Sequence, residues 1–288
     1  MNYRNLYEQL TKIYTISEAK AITRMLLEEK YGLTLSDIYS NCIDNLLANR
    51  ITELKHIIKR LANGEPIQYV LGKSTFLGEH FFVDKRVLIP RPETEELCQW
   101  IINDLNKPYC PFQQATTHFH ILDIGTGSGC IAISLKNKLH HVDVTGWDLS
   151  AEALFVARHN AINIGVNVNL KLVDIFNPPH IRKYFNTIVS NPPYICNKER
   201  TSMNINVLDY EPHSALFVPD NDPLIYYRAI ANYGIVSLVN GGTLYFETNP
   251  IYMYNIIDML KDIGYTNIRT KLDQFGKERF IRCTLISS

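Results

Sequence analysis

Two short stretches of the chain hold residue types whose spacing could do chemistry. The first is Ser190-Asn191-Pro192-Pro193-Tyr194-Ile195, directly after the apolar Ile188-Val189. Neither proline has a backbone N–H, so this segment offers carbonyl acceptors without competing donors, and its path is stiff. The Asn191 side-chain carbonyl and the Pro192 backbone carbonyl can each take one hydrogen of a planar –NH₂ group. An amide or aromatic amine nitrogen is a poor nucleophile, because its lone pair is delocalised. Holding both hydrogens fixes that nitrogen and helps localise the lone pair toward an incoming carbon. Tyr194 offers a flat face to a flat acceptor. The reaction this suits is an in-line displacement, where holding the reacting atoms ~3–3.5 Å apart supplies much of the rate. It needs no metal and no strong general base. A proline turn that merely closes a strand uses the same residue types. The abrupt passage from Val189 into Asn191 and two prolines argues against that plainer reading.

The second stretch is Asp123-Ile124-Gly125-Thr126-Gly127-Ser128-Gly129-Cys130. Its glycines permit a tight turn and close backbone approach to a ligand. A dinucleotide fingerprint would read Gly-x-Gly-x-x-Gly, but here the third glycine comes one position early. The leading acid, Asp123, also opposes a pyrophosphate and suits a ligand carrying an ammonium and a sulfonium. Asp148, nineteen residues beyond Gly129 and followed by Leu149, is placed to accept both hydroxyls of a ribose. Asp174 can take an adenine amino group while Ile175 packs on the ring. S-adenosylmethionine has all of these groups. Each residue alone has a structural use as well: a glycine turn packs helix on strand, and a strand-end Asp caps a helix.

These stretches require elements that bring them together. From 120 onward apolar strands and amphipathic helices alternate, with strands expected over 121–124, 142–147, 168–173, 187–189 and 243–246. Helices are expected from about 130, from Ser150 with Leu154, Ala157, Ala161 and Ile164 on one face, and over 223–239 and 251–263. The last strands, 266–270 and 279–285, have no helix between them and should pair as a hairpin. The fold class is therefore α/β: a doubly wound, mostly parallel seven-stranded sheet with an antiparallel edge hairpin. In such sheets ligands bind at the carboxyl ends of the strands.

Before this comes a small all-helical domain. Leu47, Ile51, Leu54, Ile58 and Leu61 lie on one helix face. Ser17 is expected to start another helix, with Ile22, Met25 and Leu26 as its buried face, and Gly32 and Gly64 to stop helices. The stretch from Ile67 to Pro90 reads as a β-hairpin, a helix follows from about Glu93 to Asn106, and 107–118 reads as a loop. Expected boundaries are 1–72 for the helical domain, 73–90 for the hairpin linker and 91–288 for the α/β domain.

The 288 residues include 29 basic and 29 acidic side chains, which opposes a protein that holds duplex nucleic acid by charge. Residues 1–72 hold nine basic and eight acidic groups, and 73–288 hold twenty and twenty-one, so neither part is a basic module. No apolar run approaches the ~18 residues of a membrane helix. The N-terminus shows no signal-peptide pattern, and the six cysteines form no Cys-x-x-Cys pair. A cytoplasmic protein with reduced thiols and no metal site is expected.

Asp-x-Gly-x-Gly-x-Gly followed by Asn-Pro-Pro-Tyr resembles the class I S-adenosylmethionine-dependent amino methyltransferases. Three more stretches resemble one branch of them: Ile89-Pro90-Arg91-Pro92-Glu93-Thr94-Glu95-Glu96-Leu97, Tyr210-Glu211-Pro212-His213-Ser214-Ala215-Leu216, and Gly276-Lys277-Glu278-Arg279-Phe280. With the helical first domain, the chain is similar over nearly its whole length to the peptide chain release factor glutamine methyltransferases. The resemblance implies methylation of the glutamine amide in the Gly-Gly-Gln motif of class 1 release factors, with the helical domain helping to dock them. It implies cofactor contacts from Gly125, Thr126, Gly127, Ser128, Gly129, Asp148, Leu149, Asp174, Ile175 and Asn191. Thr94 and Asp123 would lie near the methionine end, and Asn191 to Tyr194 would bind the glutamine. The chain departs from the family pattern at Glu247-Thr248-Asn249-Pro250 and at Phe217-Val218-Pro219-Asp220-Asn221-Asp222. Other readings are a ribosomal-protein glutamine methyltransferase, a DNA or RNA amine methyltransferase, and a fold kept only for binding.

Overall fold

A computed structural model describes residues 2–40, 43, 46–107 and 119–286. The expected loop lies outside the described residues from 108 onward, as do Cys42 and Cys110. The chain divides into two compact units, one of residues 1–73 and 203–211, the other of 74–202 and 212–288.

The first unit contains α1 (Tyr3–Glu8), α2 (Ile16–Tyr31), α3 (Leu35–Tyr39), α4 (Ala48–Ala62) and α5 (Ile67–Leu71). Thr15, not Ser17, caps α2. Its hydroxyl accepts from the Glu18 amide while the Glu18 carboxylate accepts from the Thr15 amide, a reciprocal capping box. The buried face of α2 is Ala19, Thr23, Leu26, Leu27 and Tyr31, one position round from the expected stripe, and Met25 is exposed. On α4 the stripe holds from Leu54 through Ile58 to Leu61, whereas Leu47 is its exposed N-cap. Gly32 ends α2 in the left-handed region, where a side chain would be strained. Ile67 to Leu71, expected as the start of the hairpin, is helical. Pro66 presets the backbone before its first turn, Gly72 closes it, and Ile67, Tyr69 and Val70 are buried. The segment 203–211 adds the short helix Ile205–Tyr210 to this unit. Asn206 Nδ2 donates to the Tyr14 hydroxyl (2.6 Å) and the Tyr210 hydroxyl donates to the Asn63 carbonyl (3.0 Å).

The second unit begins with a hairpin of β1 (Ser74–Phe76) and β2 (Glu79–Phe81). Then come α6 (Pro92–Leu105), β3 (Phe119–Ile124), α7 (Cys130–Lys138), β4 (Val142–Asp148), α8 (Ala151–Ile164), β5 (Asn169–Leu172), β6 (Phe185–Ser190) and β7 (Ile195–Cys196). The helix Ile205–Tyr210 is α9. After it follow β8 (Phe217–Val218), α10 (Ile225–Ser237), β9 (Leu238–Glu247), α11 (Met253–Ile263), β10 (Thr266–Leu272) and β11 (Glu278–Thr284). The seven-stranded sheet runs β10-β11-β9-β6-β3-β4-β5. Its pairs are parallel from β9 to β5, and β11 is antiparallel to both β9 and β10. This is the expected doubly wound sheet with an antiparallel edge.

Strand residues alternate between two cores, as the two-residue period of a strand requires. Ile121, Val189, Tyr245 and Phe280 pack with α6 and α7 on one face. Leu122, Ile188, Leu244, Phe246 and Ile281 pack with α10 and α11 on the other. The β9 strand starts five residues earlier than expected. Leu238 pairs with Phe185 before a register shift, and Gly241 in that interval has a φ of 77°. Because β3 sits between β4 and β6, the chain order reverses at its edge, which opens the ligand crevice of such a sheet.

Candidate active site

The four sequence-predicted stretches all lie at the carboxyl ends of adjacent strands. Asp123 is the penultimate residue of β3 and Gly125 to Gly129 follow that strand, Asp148 ends β4, Asp174 follows β5, and Asn191 follows β6. Ile124 pairs with Ser190, and the Ser190 hydroxyl donates to the Ile124 carbonyl at 2.6 Å, so the glycine loop and the proline loop spring from tied strand ends.

The three glycines of the loop do different work. Gly125 (φ 76°) and Gly127 (φ 56°) need left-handed backbone; a Cβ on Gly125 would meet open space, and one on Gly127 would meet only the Gly125 carbonyl oxygen, at 4.0 Å. These two form a cradle that a side chain would fill. A Cβ on Gly129 would instead come within 2.6 Å of Ile133 Cδ1 and 3.2 Å of Ala157, so this glycine permits helix packing. Thr126 and Ser128 are turned inward. The Thr126 hydroxyl donates to Asp123 Oδ2 at 2.6 Å, and the Ser128 carbonyl accepts from buried Asn160. Asn160 also pairs with both backbone groups of Phe82, which fastens the segment after β2 to the loop. Sequence reasoning did not single out Asn160, since nothing distinguishes it from other polar residues on an amphipathic helix.

Asp123 is fully buried. Its Oδ2 accepts from Thr126 and from the Ala132 amide, but Oδ1 has no hydrogen-bond partner among the described residues. Burial pushes its carboxyl up to about 7. A buried acceptor left unmade costs on the order of 1–3 kcal/mol, so the site fits a ligand with a cationic donor. Asp148 accepts from the Gly127 amide (2.8 Å) and the Ser150 amide (2.9 Å), one per oxygen, and each oxygen keeps acceptor capacity. Burial raises its carboxyl above the usual range. Leu149 is 66% exposed beside it, an apolar surface at the strand end. Asp174 turns its own loop by accepting from the Phe176 amide. Ile175 packs against the second core and lines a cavity of about 360 Å³ with Phe176, Pro179 and Tyr233. That cavity is lined by neither the glycines nor Asn191.

The proline loop is held by residues from three other elements. Asn191 Nδ2 donates to Thr94 Oγ1 of α6 at 3.1 Å. Thr94 is buried, and its hydroxyl donates to Glu247 Oε2 at the end of β9 (2.6 Å). The Tyr194 hydroxyl donates to Glu247 Oε1 at 3.2 Å. Burial raises the Tyr194 phenol and also the Glu247 carboxyl, the latter opposed by the Thr94 bond and the Arg279 charge. Asn249 Nδ2 donates to the Tyr194 carbonyl and to the Glu199 carboxylate. Thus the departure at 247–250 forms a clamp on the proline loop. The departure at 217–222 braces its exit: β8 pairs with β7, and Asp220 accepts from the Lys198 amide. In the sequence Glu247 stands out only as part of a departure from the family pattern, although it ends a strand at the same sheet edge as Asp123 and Asn191.

Residues 3–72 match the PrmC N-terminal domain and residues 110–208 match the methyltransferase small domain. The chain is 42% identical over 275 residues to a release factor glutamine methyltransferase of Bacteroides thetaiotaomicron, covering 95% of each. It is 38% identical over 285 residues to one of Flavobacterium psychrophilum, covering 98% of this chain and 97% of the relative. The chain belongs to the release factor glutamine methyltransferase family. A family member with this sheet is an S-adenosylmethionine-dependent enzyme. A methyltransferase of Pyrococcus furiosus shares the fold with a TM-score of 0.50 at 15% identity, covering 84% of this chain and all of the other. A Thermus thermophilus 16S rRNA guanine methyltransferase, solved with S-adenosylmethionine and guanosine, also scores 0.50 at 15% identity, over 74% of this chain and 49% of its own. Those two likenesses concern the fold alone.

Proposed function

We propose that this enzyme methylates the side-chain amide nitrogen of the glutamine in the Gly-Gly-Gln motif of class 1 peptide chain release factors, without needing nucleic acid. The observation that carries the chemistry is the tie between the β3 and β6 ends, which puts the glycine cradle beside Asn191-Pro192-Pro193-Tyr194. S-adenosylmethionine, when bound, supplies an electrophilic methyl group on a sulfonium.

The residues present fit that cofactor. Gly125 and Gly127 allow its close approach, Asp123 offers the unused Oδ1 to its ammonium, and Asp148 takes the ribose hydroxyls. Leu149, Asp174 and Ile175 line the way to the adenine. Thr126, Ser128 and Gly129 act by shaping the loop, since their own atoms point into the protein or are packed there. Asn191 Oδ1 and the Pro192 carbonyl hold the two hydrogens of the glutamine amide, Pro193 keeps the loop rigid, and Tyr194 flanks the acceptor. Holding both hydrogens leaves the nitrogen lone pair facing the methyl carbon. As the C–N bond forms the C–S bond breaks, the sulfur leaves as a neutral thioether, and one of the two held hydrogens is lost as a proton to solvent by way of its carbonyl acceptor. Orientation supplies much of the rate.

The test is to incubate the enzyme with labelled methyl donor and, separately, a purified class 1 release factor, ribosomal proteins and RNA. Peptide mass spectrometry should place one methyl on the Gly-Gly-Gln glutamine in the absence of nucleic acid. Labelling of ribosomal protein or RNA alone would overturn the proposal.

A further inference from the structure

Asn191 is useful to the reaction only in one of the two orientations of its side-chain amide. With Oδ1 toward the glutamine nitrogen it accepts a hydrogen, whereas with Nδ2 there two donors meet. Carbon-bound amide O and N have nearly the same shape, so hydrogen-bond partners must select between them.

We propose that Glu247, acting through Thr94, fixes the Asn191 amide with its oxygen toward the substrate. This rests on the substrate reading above and assigns positioning residues to it. In its ionised form, which the Thr94 and Tyr194 hydrogen bonds and the Arg279 charge favour against its burial, the Glu247 carboxylate has no proton to give, so the Thr94 hydroxyl donates its only proton to Glu247 Oε2, 2.6 Å away. Thr94 Oγ1 then has only lone pairs left for Asn191, 3.1 Å away, and accepts from Nδ2. The amide oxygen is thereby directed away from Thr94. The other oxygen of the same carboxylate accepts from the Tyr194 hydroxyl, so one buried acid sets both ends of the tetrad. Both Glu247 and Thr94 are almost wholly buried, at 1% and 3% exposure, which excludes water as an alternative partner that would scramble the sense of the chain. Asn249 and Tyr227 add to the arrangement: Asn249 holds the Tyr194 carbonyl, and the Tyr227 hydroxyl donates to the Glu247 backbone carbonyl at 3.3 Å.

The experiment compares wild type with Glu247→Gln, Thr94→Val, Thr94→Ser and the Glu247→Gln/Thr94→Val double variant, using the release factor as acceptor. A carboxamide at 247 can donate, so it permits the reversed sense of the chain while keeping shape. Thr94→Val removes the link, and Thr94→Ser restores it. Expected are losses in kcat of roughly tenfold to a hundredfold for Glu247→Gln and Thr94→Val, the scale of an unmade buried hydrogen bond. The S-adenosylmethionine Kd of Glu247→Gln from calorimetry should stay within about twofold, Thr94→Ser should regain about tenfold in kcat over Thr94→Val, and the double variant should lose no more than the worse single one. Additive losses, unchanged kcat in Glu247→Gln, or a cofactor Kd that weakens in step with kcat would each overturn the relay. If Thr94→Val is too unstable to assay, the isosteric Glu247→Gln decides through its kcat and Kd. A wild type that methylates no release factor glutamine overturns the substrate reading and the relay with it; an active wild type with unaffected variants overturns the relay alone.

Discussion

Asp123 carries the sharpest pH consequence. Burial lifts its carboxyl to about 7, well above the ~3.9 of an exposed Asp. Between those values the folded chain holds a proton that the unfolded chain has lost. Stability of the ligand-free enzyme therefore declines as pH rises from about 4 to about 7. A cationic cofactor group beside Oδ1 favours the ionised form, so the sign reverses for binding: affinity should grow with pH. One unit below a value of about 7 leaves about a tenth of the carboxyl ionised. Calorimetry at pH 6 and pH 8 should give a Kd roughly tenfold weaker at the lower pH, with proton release measurable by changing the buffer. Asp123→Asn should flatten this dependence; a steep dependence in that variant would remove Asp123 from the cofactor site. The glycines separate in a similar way. Gly127→Ala meets only the Gly125 carbonyl oxygen at 4.0 Å and should cost mainly its strained backbone, about 1–2 kcal/mol, while weakening cofactor binding. Gly129→Ala adds a clash with Ile133 and Ala157, so its melting temperature should fall further and its Kd change less. That Asn191, Asp123 and the glycines gather at neighbouring strand ends was readable in the sequence, because each adjoins a short apolar strand of the alternating pattern. The role of Glu247 was not, because it comes from two hydroxyls brought from 153 and 53 residues away.

At the level of helices and strands, sequence pattern worked where local partners decide the outcome. A helix is expected from Ser150, and the Ser150 hydroxyl caps it by accepting from the Ala153 amide. Misses occurred where a distant partner decides. On α2 the expected Leu26 is buried, but Ile22 is only half-buried and Met25 is exposed, because packing within the helical unit selects Thr23 and Leu27 in their place. The largest surprise is α9. Nothing in Ile205-Asn206-Val207-Leu208-Asp209-Tyr210 says that it joins a unit whose other residues end at Lys73. The Asn206–Tyr14 bond is a direct handle on that long-range closure. Tyr14→Phe, Asn206→Ala and their double variant should reveal a coupling of about 1 kcal/mol in urea unfolding, the net worth of one such hydrogen bond. Strict additivity would mean that this bond adds nothing and that α9 is held by its other contacts, such as the Tyr210 hydroxyl on the Asn63 carbonyl.

For the molecule as a whole, fold leaves substrate open, since the same sheet serves an rRNA guanine methyltransferase at 15% identity. Charge is the property that separates those two kinds of acceptor. Duplex binding through six to ten phosphates loses about 10³–10⁵ in affinity between about 50 and 200 mM salt, because condensed counterions are released. This chain has 29 basic and 29 acidic residues. Many of the cations are already spent on internal pairs, among them Arg60 with Glu65, Arg86 with Asp84, Arg228 with Asp222 and Arg279 with Asp273. Among the described residues no helix is long and apolar enough to cross a membrane. The acceptor should therefore be gripped mainly by shape and neutral hydrogen bonds, the kind of contact Asn191 and Pro192 offer. The KM for the release factor is expected to change by less than about threefold across that salt range. A fall of a hundredfold or more would show that phosphate-like charge dominates recognition, and would move the proposal from a protein glutamine to a nucleic-acid amine.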